Sequence, residues 1–258
     1  MILVRYDTVQ STMDCARELL QDAPNFHSSG TVKAIVLARK QLAGRGQRGR
    51  NWDSHSSGNL YATVLVEIPR NVKMNTALIG LIAGASAVDS ICEVHLRHGG
   101  HIEALSKVGL KWPNDVVIDN LKAGGILTEL HAGSGDTQFA AVGLGINLTS
   151  LPVSADIARN STSLLASEIY HLQPDQQVLW FTRTFTRLVL QLETFGMQAI
   201  LRRWSRWDAS TGRVYTTVTD HGAIKGTANG LGPQGELSLL LDDGTVLLVT
   251  SASSLNED

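Results

Sequence analysis

The residues with the clearest chemical potential lie between Gly44 and Trp52, where three glycines alternate with three arginines and a tryptophan closes the run. Glycine lets a backbone turn sharply and approach a ligand closely. Arginine adds a permanent charge and a planar fork that matches the oxygens of phosphate or carboxylate. The combination predicts a loop that folds over an anion, and a solvated basic turn is the structural alternative.

The spacing of Gly44, Gly46 and Gly49 also matches the glycine fingerprint of dinucleotide-binding sites. That fingerprint must open a helix, because the helix N-terminus meets the pyrophosphate. Here the loop is followed by Asp53–Gly58 and then by a strand-like run, Leu60–Val66, and no Gly-Lys-Ser/Thr follows. The sequence therefore argues against a nicotinamide site and against a Walker phosphate loop.

Several polar residues stand where predicted strands or helices begin or end. Ser11 and Thr12 open a helix, so they either cap it or contact a ligand. Gln41 ends an apolar strand and is either an exposed turn residue or a ligand contact. Lys122 begins another strand ahead of a double glycine, which lets something approach the backbone. The alternative for Lys122 is a surface lysine on an edge strand.

Two further polar sites follow strand interruptions. Pro113 breaks a strand, since it has no N–H to donate, and Asn114 and Asp115 come directly after it. Asp115 could simply cap that turn. Asn147 ends a strand that contains two glycines, again a sign of close approach.

Histidines recur every three residues at His95, His98 and His101, within a segment, 95–108, that the sequence predicts to be a polar loop. On a helical turn the three imidazoles could come together as metal ligands. Two glycines interrupt the run and no acidic partner is placed to orient the rings. A solvated loop is therefore the favoured interpretation over a metal site.

Composition limits the classes of function. The 258 residues are 43% hydrophobic and 18% charged, with a net charge of −2, so a general nucleic-acid binder is not indicated and the arginine loop is a local feature. Cys15 and Cys92 are isolated, which excludes a disulfide framework and indicates a reducing compartment. The run Ala77–Ala87 is too short and interrupted to span a bilayer, and the first residues form a strand and not a signal peptide. We expect a cytoplasmic protein without membrane contact.

The hydrophobic pattern predicts an alternation of strands and helices followed by an all-β tail. The predicted strands are Ile2–Tyr6, Val32–Ala38, Leu60–Ile68, Val116–Ile118, Lys122–Leu130 and a last strand made of Gln138–Val142 and Leu144–Leu148 together. The predicted helices begin at Ser11 and span Thr76–Cys92, Ser161–Ile169, Asp175–Phe195 and Ala199–Trp207, with a loop at Pro24–Gly30. From a boundary near Ser210–Gly212, short strands separated by glycine-rich turns predict a small β-barrel.

The ordered set of motifs closely resembles the biotin protein ligases, the biotin–carboxyl-carrier ligases. The matching blocks are Ser11–Thr12, Gln41, Gly44–Trp52, Lys111–Asp115, Lys122–Ile126 and Gly143–Asn147, together with the β-rich tail. The resemblance implies an α+β fold: a mixed β-sheet flanked by helices, of the class II synthetase-like kind, and then a small SH3-like β-barrel. It implies a catalytic domain over residues 1–210 and a C-terminal barrel domain over residues 211–258.

The reaction implied by the resemblance has two steps. The carboxylate of biotin attacks the α-phosphate of ATP, with Mg²⁺, to give biotinyl-5′-AMP and pyrophosphate. A lysine of a biotin carboxyl carrier protein domain, part of a biotin-dependent carboxylase, then takes the biotinyl group. The arginine loop would close over the ligands and shield the labile mixed anhydride from water.

The resemblance also implies roles for individual residues. Lys122, Arg48 and Arg45 would be catalytic. The implied biotin contacts are Ser11, Thr12, Gln41, Arg45, Gly46, Lys122, Gly124 and Gly125. The implied contacts to ATP or the adenylate are Gly44, Gln47, Arg48, Arg50, Trp52, Asn114, Lys122, Gly143 and Asn147. Asp115 and Asn147 would support Mg²⁺, which takes few protein ligands.

The sequence departs from the family pattern in several places. Gln47 stands where relatives often carry a basic residue, which suggests weaker retention of the adenylate, and Met13 stands where many have asparagine. The segment 95–108 is long for its position, and the C-terminus lacks an arginine found in some relatives. The first catalytic strand begins at Ile2, so we expect no DNA-binding winged helix and no operator binding.

Alternative functions remain open at this level. A lipoate or octanoate ligase would share the fold and the adenylation chemistry, although the arginine loop and the block Lys111–Asp115 favour biotin. A non-catalytic biotin or nucleotide sensor is the alternative from a different functional class. Relatives include monomers and homodimers, and the sequence favours neither, so a homodimer stays one alternative.

Overall fold

The computed structural model describes residues 1–22, 30–69, 74–133, 136–219 and 222–254. Most of the loop predicted at Pro24–Gly30 lies outside the described residues. The turn predicted at Asp220–His221 and the last four residues lie outside them as well.

A seven-stranded mixed sheet forms the centre of the larger part of the chain. Its strands are β1 (Ile2–Val9), β2 (Val32–Gln41), β3 (Leu60–Ile68), β4 (Val108–Lys111), β5 (Asp115–Ile118), β6 (Leu121–Ala132) and β7 (Gln138–Ile146). They lie in the order β1-β2-β3-β7-β6-β5-β4. Strands β1 and β2 are parallel and every other pair is antiparallel. The predicted mixed sheet is confirmed.

Among the described residues, five helices flank this sheet: α1 (Thr12–Asp22), α2 (Thr76–Arg97), α3 (Ala155–Ala158), α4 (Pro174–Phe195) and α5 (Met197–Ser205). Helix α2 is apolar almost all round and lies with α4 and α5 on one face of the sheet, where they build the main hydrophobic core. Helix α1 lies on the other face and packs Met13 against Leu65, Phe139 and Ala141. Because α1 is short, this second face is left open towards the ends of β6 and β7.

Helix α2 is also long and apolar enough, by length and composition, to cross a membrane. However, 83% of its most apolar 18-residue stretch is buried inside the protein. The helix therefore serves as the core helix of the fold in the part of the chain that is described.

Two predicted elements are wrong. The segment 95–108 is not one polar loop: α2 continues to Arg97 and Ile102–Lys107 form a 3₁₀ helix. His95 is buried in the last turn of α2, where its Nδ1 accepts a hydrogen bond from the backbone N–H of Tyr170 (2.9 Å) and its Nε2 lies 3.0 Å from the carbonyl oxygen of His101. The ring fills the space beside Gly100, where a Cβ would lie 2.2 Å from it.

The helix predicted at Ser161–Ile169 is absent, because the backbone there pairs with the sheet. Ser161 forms a parallel bridge with Lys122, and the following residues form turns in which Glu168 has a φ of 59°. The short helix α3 was not predicted, since four residues carry no measurable periodicity.

The C-terminal part is a five-stranded antiparallel sheet, as expected for the small barrel-like unit. Its strands are β8 (Val214–Thr219), β9 (Gly222–Leu231), β10 (Leu237–Leu240), β11 (Val246–Val249) and β12 (Ser253–Ser254), in the order β11-β10-β9-β8-β12. Trp112, in the break between β4 and β5, joins this sheet to the larger one. Its indole Nε1 donates to the carbonyl oxygen of Gly235 (3.1 Å), and its backbone N–H donates to the Ser210 hydroxyl (2.7 Å).

Candidate active site

A cavity of about 810 Å³ opens on the α1 side of the large sheet, between the arginine loop and the ends of β2, β6 and β7. All but three of the residues predicted for the site line it: Ser11, Thr12, Gln41, Arg45, Gly46, Gln47, Arg50, Trp52, Asn114, Asp115, Lys122, Gly125, Gly143 and Asn147. The three that do not are Gly44, Arg48 and Gly124. Most of the residues that the resemblance assigns to the site therefore lie around one shared cavity.

One wall of the cavity is a buried network of side-chain hydrogen bonds. The Gln41 Oε1 accepts from the backbone N–H of Thr12 (2.8 Å) and from its hydroxyl (3.1 Å). The Gln41 Nε2 donates to the Ser54 hydroxyl (2.8 Å), and Thr63 donates to the hydroxyl of Thr12 (2.9 Å). All four side chains are buried, so their orientations are fixed before a ligand arrives.

Ser54 and Thr63 were not among the predicted site residues. Thr63 was hidden inside an apolar strand, and Ser54 stood in a polar run that carried no periodic signal. Ser11, for which a cap and a ligand contact were the alternatives, caps α1 through its hydroxyl, which accepts from the backbone N–H of Met13 (3.3 Å), and it also lines the cavity.

Backbone hydrogen bonds pair the two ends of the arginine loop in an antiparallel arrangement. Gly44 accepts from the backbone N–H of Trp52 (2.8 Å), and a Cβ at Gly44 would lie 2.4 Å from the carbonyl oxygen of Trp52. Gly46 donates to the carbonyl oxygen of Arg50 (2.7 Å), closing a tight turn. The absence of a Cβ at Gly44 lets the two ends of the loop pair closely. Gly44 is used for this pairing and does not line the cavity, although it was predicted to contact ATP or the adenylate.

The three loop arginines have different surroundings. Arg45 forms ion pairs with Asp14 of α1 (3.1 Å) and Glu129 of β6 (3.0 Å) while lining the cavity. Arg48 points away from the cavity, against the prediction. It donates to the Ser251 hydroxyl (2.8 Å) and the Ala252 carbonyl (3.0 Å) of the C-terminal part. A φ of 57° at Arg48 turns the chain so that its side chain leaves the loop on that side. Arg50 lines the cavity.

Lys122 occupies the centre of the opposite wall. Its ammonium lies 2.7 Å from Asp115 Oδ1 and 5.5 Å from the centre of the Trp52 ring. The backbone places it there, because the register between β5 and β6 shifts beside Val116–Val117 and turns Lys122 towards Asp115. The carboxylate of Asp115 and the indole face of Trp52 together hold the Lys122 ammonium in place at the cavity wall.

Glycines make the floor beneath Trp52. A Cβ at Gly145 would lie 2.3 Å from the indole Cε2, and one at Gly125 would lie 3.1 Å from Cζ3. Gly143 gives room to the sulfur of Met13, which would lie 2.8 Å from its Cβ. Gly124 faces the main core, where a Cβ would meet Ile146 at 2.4 Å. The prediction of close approach at the glycines was sound, but at these positions the approaching group is a side chain of the protein itself.

The metal prediction rests on Asp115 and Asn147, which both line the cavity. Asn147 Nδ2 donates to the carbonyl oxygen of Thr162 (3.1 Å), and Asp115 Oδ1 contacts Lys122. Within the described ranges, no group of three or more histidine, cysteine, aspartate or glutamate side chains is arranged to hold a metal ion. This sparse oxygen set fits Mg²⁺ only as an ion that arrives with phosphate oxygens and keeps its water.

Other residues that line the cavity were missed by the sequence prediction. Among them are Lys111 of β4, Asp53 at the end of the arginine loop, Arg159 and Asn160 after α3, and Arg213 at the start of the C-terminal part. Arg213 donates to the side chain of Asn120 and to the carbonyl oxygen of Ala209. Only the fold brings these positions together, since they are far apart in the sequence.

The pKa of Asp53, one of the carboxylates that line the cavity, is shifted from its ordinary value. Burial by itself would raise the pKa of Asp53, but hydrogen bonds from the His55 ring and from the backbone N–H groups of His55, Val153 and Ser154 outweigh it. The pKa of Asp53 therefore lies below its ordinary value, and the group is ionised at neutral pH.

The family of the chain follows from comparison with known proteins. The model of the biotin/lipoate A/B protein ligase family matches residues 7–147, which include the arginine loop, Lys122 and Asn147. The chain belongs to this family. A biotin–[acetyl-CoA-carboxylase] ligase of Paracoccus denitrificans is 30% identical over 225 residues, covering 86% of this chain and 88% of that protein.

Solved structures agree with the family. A biotin protein ligase from Aquifex aeolicus, in complex with biotin and ATP, superposes with a TM-score of 0.74 at 20% identity, covering 98% of this chain and 97% of that one. A biotin protein ligase from Leishmania major, in complex with biotinyl-5-AMP, gives a TM-score of 0.63 at 25% identity, covering 96% and 98%. The family fold therefore extends over both sheets.

Proposed function

We propose that this chain is a biotin protein ligase, which activates biotin with ATP and transfers it to a lysine of a biotin carboxyl carrier protein. The observation that carries the proposal is the position of Lys122, whose ammonium faces the same cavity as Arg45, Arg50 and the Thr12–Gln41 network. The named relatives support biotin as the substrate, since the ligase of Paracoccus denitrificans and the Leishmania major structure both carry biotin in their descriptions.

In the first step, a carboxylate oxygen of biotin attacks the α-phosphorus of ATP and pyrophosphate leaves. The buried polar wall of Ser11, Thr12 and Gln41 would bind the biotin head group, which aims the carboxylate at Lys122. The Lys122 ammonium would neutralise the repulsion between the carboxylate and the α-phosphate as the bond forms. Positioning and charge stabilisation of this kind need no covalent enzyme intermediate.

Magnesium enters this scheme as part of the substrate, bound to the phosphates of ATP. Asp115 and Asn147 would support it through a carboxylate and an amide oxygen, with Arg50 beside the phosphates. In the second step, the amine of the carrier lysine attacks the acyl carbonyl of biotinyl-5′-AMP, AMP leaves, and an amide bond forms. The proton lost by the attacking amine passes to solvent or to the departing phosphate.

We also propose that residues 1–210 are the catalytic domain and residues 211–258 a separate C-terminal domain. The change from the mixed sheet and its helices to a purely antiparallel sheet supports this division. The hydrogen bond from the Trp112 indole to the carbonyl oxygen of Gly235 supports a fixed arrangement of the two. The two unpaired cysteines support the further proposal that the enzyme works in the reducing cytoplasm.

Pyrophosphate release from Mg-ATP, measured with biotin and with lipoate in turn, tests the function. We expect release with biotin and its loss in Lys122→Ala, because that variant lacks the charge between the two anions. Lys107→Ala is the matched control, since Lys107 also pairs with an aspartate, Asp119 at 3.3 Å, but does not line the cavity. Release with lipoate alone would assign the chain to the other branch of the family, and release with neither would reject the proposal.

A further inference from the structure

One wall of the cavity is a segment that sequence analysis did not connect with the site. Residues 152–161, here called the strap, contain α3 and contribute Pro152, Ile157, Arg159, Asn160 and Ser161 to the cavity lining. The strap runs from the side of the arginine loop to the side of Lys122. Its position therefore depends on how its two ends are held.

The far end of the strap is held by backbone pairing with β6. The backbone N–H of Lys122 donates to the carbonyl oxygen of Asn160 (2.9 Å), and the N–H of Thr162 donates to the carbonyl oxygen of Lys122 (2.9 Å). These two bonds form the parallel bridge between Lys122 and Ser161. No side chain is needed at this end, so the strap is joined directly to the residue proposed to be catalytic.

The near end of the strap is held by the side chain of Asp53, which follows the arginine loop, while Asn59 binds the backbone of Thr149 and Ser150 just before the strap. Asp53 Oδ2 accepts hydrogen bonds from the backbone N–H groups of Val153 (2.7 Å) and Ser154 (3.3 Å). Its other oxygen, Oδ1, faces His55, with 3.0 Å to the ring Nδ1 and 3.3 Å to the backbone nitrogen. The carboxylate thus uses one oxygen for the strap and one for its own loop.

Asp53 directly follows Trp52, the ring that lies over Gly145 next to Lys122. The same stretch of chain therefore positions the aromatic wall and the near end of the strap. We propose that Asp53 is a positioning residue that clasps the strap to the arginine loop and so closes the nucleotide side of the cavity over ATP and the adenylate. This inference rests on the proposed function.

The assignment to the nucleotide side follows from the two ends of the strap. The strap joins Lys122, which faces the reacting phosphate in the proposed reaction, and the exit of the loop that carries Arg50. The network of Thr12, Gln41 and Ser54 is built without any strap residue. Release of the clasp should therefore weaken ATP and adenylate binding and leave the binding of biotin alone unchanged.

Two variants remove the clasp from opposite sides. Asp53→Asn keeps the shape of the side chain but removes the charge and one acceptor oxygen. Val153→Pro removes the donor N–H at a residue whose own side chain is 69% exposed and outside the core. His55→Ala is the matched control, because it removes the ring that faces Oδ1 and leaves both contacts from Oδ2 to the strap.

The direct readout is trypsin cleavage after Arg159, an exposed arginine within the strap, in the protein without ligands. A charge-assisted hydrogen bond changes such an opening equilibrium by about tenfold or more. We expect cleavage at Arg159 to accelerate by about that factor in Asp53→Asn and Val153→Pro and to stay near the wild-type rate in His55→Ala. The effects of the two substitutions should not add in the double variant, since Val153→Pro removes one of the two hydrogen bonds that Asp53→Asn weakens.

The kinetic readout separates the binding of ATP and the adenylate from the binding of biotin. In Asp53→Asn we expect the KM for ATP to rise and the half-life of enzyme-bound adenylate to fall by about tenfold, while the Kd for biotin alone stays unchanged. Equal cleavage rates at Arg159 in all variants, or equal loss of biotin and ATP binding, would overturn the clasp.

A further measurement covers the case in which the variants fold poorly. In the wild-type protein, the amide hydrogens of Val153 and Ser154 should exchange with solvent more slowly than those of the neighbouring exposed residues, and fast exchange would also overturn the clasp. Cleavage and exchange need neither biotin nor turnover, so failure of the proposed function and failure of the clasp are separate results.

Discussion

The indole of Trp52 lies flat against Gly145, so close that a Cβ added to the glycine would be 2.3 Å from the ring carbon Cε2. A methyl group at that distance cannot be accommodated unless the ring moves away. The Lys122 ammonium lies over the same ring, 5.5 Å from the ring centre. The absence of a side chain at Gly145 therefore sets the position of the Trp52 ring, which forms one wall of the cavity.

Gly145→Ala is expected to displace Trp52 and to lower kcat/KM for ATP by at least about tenfold, because about 1.4 kcal/mol of positioning would be lost. Steady-state kinetics of biotin-dependent pyrophosphate release would measure this. Gly80→Ala is the matched control, since its nearest neighbour to the new Cβ is 3.9 Å away and the site lies within a helix. Unchanged kinetics in Gly145→Ala would mean that the ring is not part of the reaction centre.

The pair Lys122–Asp115 gives a second prediction. Asp115→Ala leaves the ammonium without its 2.7 Å partner, so the lysine loses its fixed orientation towards the cavity. We expect kcat for adenylate formation to fall by about tenfold or more. Asp119→Ala serves as the control, because it removes the partner of Lys107 at an exposed pair where little energy is expected. If both variants had the same activity, Asp115 would have no role in orienting the lysine.

The buried amide of Gln41 gives a third prediction, on substrate binding. Its Oε1 accepts from Thr12 twice and its Nε2 donates to Ser54, so Gln41→Ala leaves buried partners unpaired. Loss of such a contact costs about 1–3 kcal/mol. We expect the KM for biotin to rise much more than kcat falls, since the wall binds the ground state and the transition state alike. Titration calorimetry with biotin would check it, and a Kd for biotin equal to that of the wild type would contradict it.

Most of the site residues were predicted from the resemblance to the biotin protein ligases, and several of them stand at the ends of strongly apolar strands. Lys122 and Asn147 lie at the same end of the paired strands β6 and β7, and Gln41 ends β2, which is separated from β7 by β3. Strand β2 is buried on both faces over most of its length, as its near-continuous apolar run predicts.

The parts that sequence analysis missed depend on contacts over long separations. Asp53 meets Val153 across a hundred residues, and Arg213 reaches the cavity from the second sheet. Arg48 was predicted to face the ligand but bonds to Ala252, because the turn at its own φ of 57° decides its direction. His95 was placed in a loop because polar residues follow it, although tertiary packing against Tyr170 extends the helix.

Cys92 gives the last prediction, which concerns pH. Burial, and then the charge of Asp89, raises the pKa of the Cys92 thiol to about 12. The pKa is raised relative to the unfolded chain. The stability that the neutral thiol contributes is therefore fully present below about pH 8.5. It is lost as the pH rises towards about 12. At pH 8 the folded protein should hold almost no thiolate at this position, and the side chain is also inaccessible.

A thiol titration with an aromatic disulfide at pH 8 would therefore detect only Cys15 in the folded wild-type protein. Burial, with Glu18 and Asp14 nearby, also raises the pKa of Cys15, so even this reaction should be slow. The folded Cys15→Ala variant should not react with the aromatic disulfide until denaturant is added. The Cys92→Ala variant should react like the wild type. Rapid labelling of folded Cys15→Ala would show that α2 opens far more often than its position in the core implies, because Cys92 is only 5% exposed in the folded protein.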